Sequence, residues 1–442
     1  MHGGCADGHG PIFFHSIQFN SIQFHSIPFT FPSMTPLTTI AITSQPTPAT
    51  VVQTPLGAVA RINPRWRNDR AAPDTMVAYV THNVVSATEV TLCPERRRLD
   101  EIGRNAPTFQ DNDVLVLNQW KALQAGKAGM ASTGADYAHG FCTVSFAVIR
   151  PDPLQLDARY CLYFMRHPGM YERVALYVEA AVSAGRRPSP QAFLSELLLP
   201  LPPLAQQRDW AGELDRAFDA CTAARRKLIA LERQRRNFFR DFFGSTLTMR
   251  ETWRETTLST QLDAIIIGSG AMAQYRVSQG DALLRPCNVG DNVLLGTNLL
   301  HVRLPWGNWQ SKRVQPGDVL MCTRTSGVAV VPPDIGVAHA GSGLAILRSS
   351  SLEPGFLAAF LLSGTGQGEL EWFAITHGRR LSVGVIGSLR LAVPPLALQR
   401  QFVRESTQFD PDIAAARERL AQAMACFDAV ERAAFDTELA GA

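Results

Sequence analysis

The sequence lacks the features that most quickly assign a chain of 442 residues to a class. Its eight cysteines (5, 93, 142, 161, 221, 287, 322 and 426) contain no Cys-x-x-Cys, so no zinc or thioredoxin-like framework is visible and the thiols read as reduced and cytoplasmic. No run approaches the ~20 apolar residues of a membrane span. There is no G-x-x-x-x-G-K-S/T phosphate loop, no H-E-x-x-H and no G-x-S-x-G elbow. The Asn/Asp-Pro-Pro-aromatic tetrapeptide of adenine methyltransferases is missing too, since Val331-Pro332-Pro333-Asp334 does not fit it. Gly268-Ser269-Gly270 and Gly341-Ser342-Gly343 read as isolated turns. Neither sign of charge dominates: a formal net charge of +3 permits contact with nucleic acid without demanding it.

What is present is a globular balance, 46% apolar and 18% charged, in a chain long enough for two or three domains. The first fifty residues stand apart. Ser16-Ile17-Gln18-Phe19, Ser21-Ile22-Gln23-Phe24 and Ser26-Ile27-Pro28-Phe29 repeat, and Thr, Pro and Ser dominate up to Thr54. Without a basic start followed by a continuous apolar stretch this is not a signal peptide, and it is expected to be a disordered leader, with Met34 an alternative start. His2, His9, His15 and His25 are irregularly spaced and lack Cys or acidic partners, which argues against a metal site there.

The chain is organised around a stretch that occurs twice. Leu197 to Phe243 returns, weakened, as Leu389 to Phe435. Pro202, Pro203, Leu204, Ala205, Gln207 and Arg208 fall without a gap on Pro394, Pro395, Leu396, Ala397, Gln399 and Arg400. Each copy reads as a strand, a proline stop and one long helix. In the first helix the seam is Trp210, Leu214, Ala217, Cys221, Ala224, Leu228, Leu231, Phe238 and Phe242, broken only by Arg235. In the second it is Phe402, Phe409, Ile413, Ala416, Leu420, Ala423, Phe427, Val430 and Ala434, interrupted by Ser406. Spacings of four and three sustained over about five heptads predict coiled-coil packing. About 38 residues make a rod roughly 57 Å long. Neither rod can bury its own stripe, so each is expected to pack on the other.

The segments before the two rods also correspond. Val77 to Val80, Val114 to Leu117 and Phe141 to Val148 read as strands, and Asp157 to Tyr177 as helix. Phe109 to Val116 echoes Val314 to Met321, and Gly185-Arg186-Arg187 with Ser189 echoes Gly378-Arg379-Arg380 with Ser382. The repeat is therefore a whole domain plus helix. The fold class is α+β: two similar mixed α/β domains joined by two long helices packed as an antiparallel coiled coil. The expected divisions are a leader (1–50), a first domain (51–200), a first helix (201–250), a second domain (251–393) and a second helix (394–442).

This plan resembles the specificity subunit of type I restriction-modification systems. The resemblance is carried by the doubled Pro-Pro-Leu-Ala-x-Gln joint, preceded by Pro200-Leu201 in the first copy, the opening Leu56 to Pro64, the stretch Gly317 to Pro333 and the approach Gly378 to Pro395, and it covers nearly everything from Thr54 on. It implies that each domain is a target-recognition domain reading one half of a split sequence in double-stranded DNA. It further implies that the helices set the spacing and dock methylation subunits, two in number, with restriction subunits joining through the complex. No cofactor would be bound by this chain; S-adenosylmethionine and ATP with Mg would belong to the partners. Three features depart from the pattern: Leu398 stands where Gln is usual, Pro411 lies within the second helix, and the leader has no counterpart.

The residues point the same way, because two similar domains on a stiff spacer suit two half-sites at a fixed gap. Groove edges are read by Arg, Asn and Gln, each good pair adding roughly 1–3 kcal/mol of discrimination. In the first domain the candidates are Arg65, Trp66 and Arg67, then Asn118, Gln119, Trp120 and Lys121, then Arg186 and Arg187. In the second they are Arg285 and Asn288, Lys312 and Arg313, Arg324 with Thr325 and Ser326, and Arg379 and Arg380. Adjacent arginines suit phosphate positioning better than base reading. Leu214, Leu228, Leu231, Phe409, Ile413, Leu420 and Phe427 are the expected packing residues of the helices. Two other readings remain: a coiled-coil scaffold that never touches DNA, and an enzyme whose carboxylates would be Asp113 and Asp318. Both Asp residues read more simply as turn formers before a strand.

Overall fold

Each strand that runs into a proline pair is hydrogen-bonded to the strand that opens its domain. The computed structural model describes residues 52–64, 72–85, 89–134, 140–296, 298–305, 307–376 and 381–436, without the side chains of 246, 247, 308 and 373–376. The leader, Arg65, Trp66, Arg67, Gly378, Arg379 and Arg380 lie outside the described residues. Val52–Pro55 pairs antiparallel with Leu198–Leu201, and Glu255–Thr257 with Arg390–Ala392. The described residues form two compact units, up to Ala211 and from Gly212, so the division falls inside the first long helix.

In the first unit one sheet has the order Ala60–Ile62, Phe146–Pro151, Val114–Leu117, Ala128–Ala131, Thr91–Leu92. A second has the order Glu95–Arg98, Met76–Val80, Gly140–Cys142, Thr108–Phe109. Phe141 to Val148 is therefore not one half-buried strand as its alternation suggested. Thr143 accepts from the Phe146 amide and makes a turn, and the halves on either side join different sheets. Likewise Asp157 to Tyr177 is two helices, Ala158–Arg166 and Met170–Ser183, separated at His167-Pro168-Gly169, because proline cannot continue the first helix. Asp157 caps the first by accepting from the amides of Arg159 and Tyr160.

The second unit repeats this construction. Its sheets run Ala264–Ile267, Leu344–Arg348, Val319–Cys322, Val328–Val330 and Arg276–Val277, Leu300–Val302, Asp281–Leu284, Ala338–Ala340. Among the described strands, the one parallel pairing in the second sheet of each domain also matches: Met76–Val80 with Gly140–Cys142, and Asp281–Leu284 with Ala338–Ala340. Val114–Leu117 and Val319–Cys322 are buried along their whole length, which explains their unbroken apolar sequence.

Single side chains confirm the repeat. Gln207, fully buried, accepts from the Asp157 amide at 2.9 Å and donates to the Pro202 carbonyl at 2.8 Å. Gln399, 1% exposed, accepts from the Glu353 amide at 2.9 Å and donates to the Pro394 carbonyl at 2.8 Å. The Gln of the doubled joint is thus the bolt between each helix start and its own domain. Apolar residues cannot satisfy those buried backbone groups.

The first rod is one uninterrupted helix, Leu204–Phe243, of 40 residues. The second is Leu396–Ser406, a 3-10 turn at Thr407–Phe409, and Asp410–Phe435. Pro411 causes the tightening: it has no amide to give the preceding turn, so the helix restarts with proline in its first turn. Within the second unit the rods pack antiparallel, as successive contacts show: Phe242 with Phe402 at 5.5 Å, Phe238 with Phe409 at 5.4 Å, Glu232 with Arg417 at 2.9 Å and Phe218 with Phe427 at 6.0 Å. Leu228, Leu231, Phe409, Ile413 and Ala416 form the apolar cluster between them, Leu214 is fully buried and Leu420 half-buried. At the end of the first rod the deepest rings are Phe239 and Phe243, one place past the expected seam, because there the helix also packs on Phe356 of helix Pro354–Leu362. No described helix is long and apolar enough to cross a membrane.

Candidate nucleic-acid interface

Strand register alone gathers several of the singled-out loops at one end of each sheet. In the second domain Ile267 lies opposite Ala345, Cys322 opposite Leu344, and Leu284 beside Ala340. The segments beginning at Gly268, Thr323 and Arg285 and the turn before Leu344 therefore share that end. The two Gly-Ser-Gly turns, dismissed as isolated, meet there: Ser269 bridges Gly341. A Cβ on Gly268 would stand 2.0 Å from the Gly341 carbonyl oxygen, so only glycine permits the approach.

At this end Arg324, Thr325 and Ser326 are exposed at the tip of the hairpin between Val319–Cys322 and Val328–Val330. Arg285 is half-buried; it donates through Nη2 to the Asn298 carbonyl at 2.5 Å, while its buried Nε has no partner in the described structure. Asn288 is placed differently from the expectation. It is fully buried, its Oδ1 accepting from the Arg285 amide at 3.0 Å and its Nδ2 donating to Leu295 at 3.1 Å, so it shapes the loop rather than facing a groove. Lys312 spends its ammonium on the Ile267 carbonyl at 2.8 Å, whereas the neighbouring Arg313 is exposed.

The first domain presents the same end with other residues. Leu117 lies opposite Phe146 and Ile62 opposite Ile149, so Asn118, Gln119 and Lys121 leave from this end, as does the chain toward Arg65. Gln119 and Lys121 are exposed; the Asn118 Oδ1 is buried without a partner in the described structure. Here the hairpin contains a helix, Trp120–Gln124. Trp120, half-buried, packs on Tyr177 and Phe193, each at 6.1 Å, and those rings touch at 5.3 Å. Arg186 and Arg187 are exposed after Gly185, whose φ of +67° the turn out of helix Met170–Ser183 requires.

Asp113 and Asp318 are engaged in matched ways. Asp113, 2% exposed, accepts from Arg150 Nη2 at 2.7 Å and the Gln110 amide at 2.8 Å. Asp318, also 2% exposed, accepts from Arg348 Nη2 at 2.7 Å and the Gln315 amide at 2.7 Å. Both hold turns before central strands, as their sequence setting predicts, and bonding to Asp318 raises the already high pKa of Arg348. As catalytic carboxylates they have little to offer.

Three features escaped sequence reasoning. The edge strand Glu95–Arg98 carries three arginines; Arg97 pairs with Glu95 and lies 4.5 Å over the Tyr79 ring, and Arg98 pairs with Asp100 at 2.7 Å. The run Glu-Arg-Arg-Arg was a visible signal. His339, buried, contacts Asp281 at 3.0 Å, a pairing across sequence that no local pattern announces. The third is Asp291, which receives Arg235 at 2.9 Å, so the one break in the first seam is a half-buried arginine with a carboxylate partner.

No family model matches the chain, and no curated protein matches it. Among solved structures it is similar to the HsdS subunit from Thermoanaerobacter tengcongensis, at 20% identity and a TM-score of 0.36 over 89% of this chain and 98% of that one. It is also similar to a chain from work on complex assembly and conformational transition of the type I R-M system, at 19% identity, 0.39, and 88% and 98% coverage. A third is the type I restriction-modification system S subunit from M. genitalium, at 13% identity, 0.45, and 88% and 98% coverage.

Proposed function

We propose that this chain is the non-catalytic, cytoplasmic DNA-recognition subunit of a type I restriction-modification complex, each domain reading one half of a bipartite target in double-stranded DNA. The helices set the gap and dock the methylation subunits, and restriction subunits join through the complex. Methyl transfer from S-adenosylmethionine and ATP-driven work belong to those partners. The supporting observation is the duplicated construction: two domains that share the order of four strands in one sheet, each bolted by a buried glutamine to the helix that follows it. A duplicated reader on paired helices suits two half-sites, as dimeric readers suit palindromes. Candidate readers are Gln119 and Lys121 in the first domain and Arg313 and Arg324 in the second, with Arg186 and Arg187 suited to phosphates. The test is a genome-wide comparison of DNA methylation in the host with and without the gene. Loss of one two-part motif is the expected result; an unchanged methylation pattern, together with no salt-dependent DNA binding by the assembled chain, would contradict the reading.

A further inference from the structure

The hairpin that carries Arg324 shares an apolar cluster with the rod rings Phe239, Phe243 and Phe402, and its polar tie to both rods runs through one residue, Asp291. Asp291 lies in the segment that pairs in parallel with the hairpin's return strand: it bridges Val328, the Asn292 amide donates to the Val328 carbonyl at 2.8 Å, and the Val328 amide donates to the Gly290 carbonyl at 3.1 Å. The Asp291 carbonyl accepts one guanidinium from each rod, Arg235 Nη2 at 2.7 Å and Arg417 Nη2 at 2.9 Å. Its carboxylate takes Arg235 again at 2.9 Å and Arg236 at 3.4 Å. Arg417 simultaneously donates to Glu232 at 2.9 Å, so the cluster also ties rod to rod. Arg235 is 10% exposed and Asp291 14%, where solvent screens little. Burial, then the nearby Asp291, push the Glu232 carboxyl above its ordinary range, against the pull of Arg417.

The first domain anchors its corresponding segment by itself. Thr91 and Leu92 run parallel to the return strand Ala128–Ala131, and Arg166, from that domain's own helix, donates to the Glu89 carbonyl at 3.1 Å and the Ala128 carbonyl at 2.7 Å. Counted from the matched cap positions Asp157 and Glu353, the second domain has Leu362 where the first has Arg166. That helix, Pro354–Leu362, still packs on the hairpin strands through apolar side chains, but the arginine's hydrogen bonds are absent at this position, and the rods supply guanidinium donors in their place.

We propose that Arg235, Arg417 and Asp291 are positioning residues for sequence reading by the second domain, which makes discrimination in that half of the target dependent on the paired rods, while discrimination in the first half depends on Arg166. The inference rests on the two-half reading proposed above. A hairpin tip must be held closely to present donors to base edges, and removing one buried charged hydrogen bond is expected to loosen it by about tenfold in discrimination. Rod disturbances then reach one half of the target and not the other.

The experiment selects bound duplexes from a randomised pool with the full-length chain and its co-purifying partners, and follows amide exchange at Asn292 and Val328. For Arg235→Ala and Arg417→Ala the expected result is about tenfold weaker base preference in one half, unchanged preference in the other, and faster exchange at both amides. Arg235→Lys, which can keep the ion pair, should largely restore the preference, and Arg166→Ala should weaken the opposite half. Should Arg235→Ala fail to fold, Asp291→Asn, of equal size, takes its place with the same expected direction. Equal loss in both halves, or no loss in either, overturns the inference. A wild-type chain that selects no two-part motif overturns the reading beneath it instead; unchanged exchange at Asn292 and Val328 in the variants then overturns the latch on its own.

Discussion

The two domains are alike where the chain must fold and unlike where it meets solvent. Both use a buried Asp paired with a partly exposed Arg ahead of the central strand, a buried glutamine at the helix joint and the same order of four strands in one sheet. In that order Ala60–Ile62, Phe146–Pro151, Val114–Leu117, Ala128–Ala131 match Ala264–Ile267, Leu344–Arg348, Val319–Cys322, Val328–Val330. They differ at the hairpin between the two inner strands, which in the first domain holds the helix Trp120–Gln124 and in the second is a short turn through Arg324. They differ also in what braces that hairpin, Arg166 of the same domain in one and arginines of both rods in the other. Framework positions are fixed by burial, where a change leaves unpaired groups; hairpin tips carry no such penalty and are free to diverge.

If the framework is truly shared, matched substitutions must cost the same. The largest effect should come from Asp113→Ala and Asp318→Ala, each leaving an arginine and a turn amide without their carboxylate, at about 3 kcal/mol. Amide exchange should accelerate in Val114–Leu117 for the first and in Val319–Cys322 for the second. A cost twice as large in one domain would break the equivalence.

Ile413→Asp comes next on the same scale, since it places an unpaired charge at the centre of the rod cluster and should cost about 3 kcal/mol. Leu228→Asp, at a half-buried position of that cluster, should cost less. Differential scanning calorimetry would rank them, and the reverse order would show that the seam is misplaced. Gln207→Ala and Gln399→Ala should each cost about 2 kcal/mol, because each strands a buried amide and a proline carbonyl. Chemical unfolding of the two variants sharpens the comparison: equal losses support one bolt used twice.

Much of this was legible in the sequence because it is periodic or repeated. The seam residues are buried or half-buried throughout, and the proline-glutamine joint announced itself by occurring twice. Pro411 marked where the second rod departs from a regular helix, for a reason internal to proline. What was hidden depends on contacts between distant segments. Arg235 looked like a defect in the stripe because its partner Asp291 lies 56 positions away. Asn288 and Lys312 looked like surface donors, yet one is buried and the other is spent on a backbone carbonyl. Trp120 stood among the candidate groove contacts, yet its ring packs on Tyr177 and Phe193. Composition ranks side chains by chemistry, but availability is set by tertiary placement.

The smallest effect on stability should accompany the largest on recognition. Arg324, Thr325 and Ser326 are exposed, so replacing all three with Ala should change stability by less than about 1 kcal/mol, and the same holds for Gln119 and Lys121. The most direct measurement is therefore selection from a randomised duplex pool by the assembled wild-type chain and by these two hairpin variants, read by sequencing. The account predicts a two-part motif in which the first variant loses preference in one half only and the second in the other half only. A single contiguous motif, or two halves that weaken together under either variant, would contradict it.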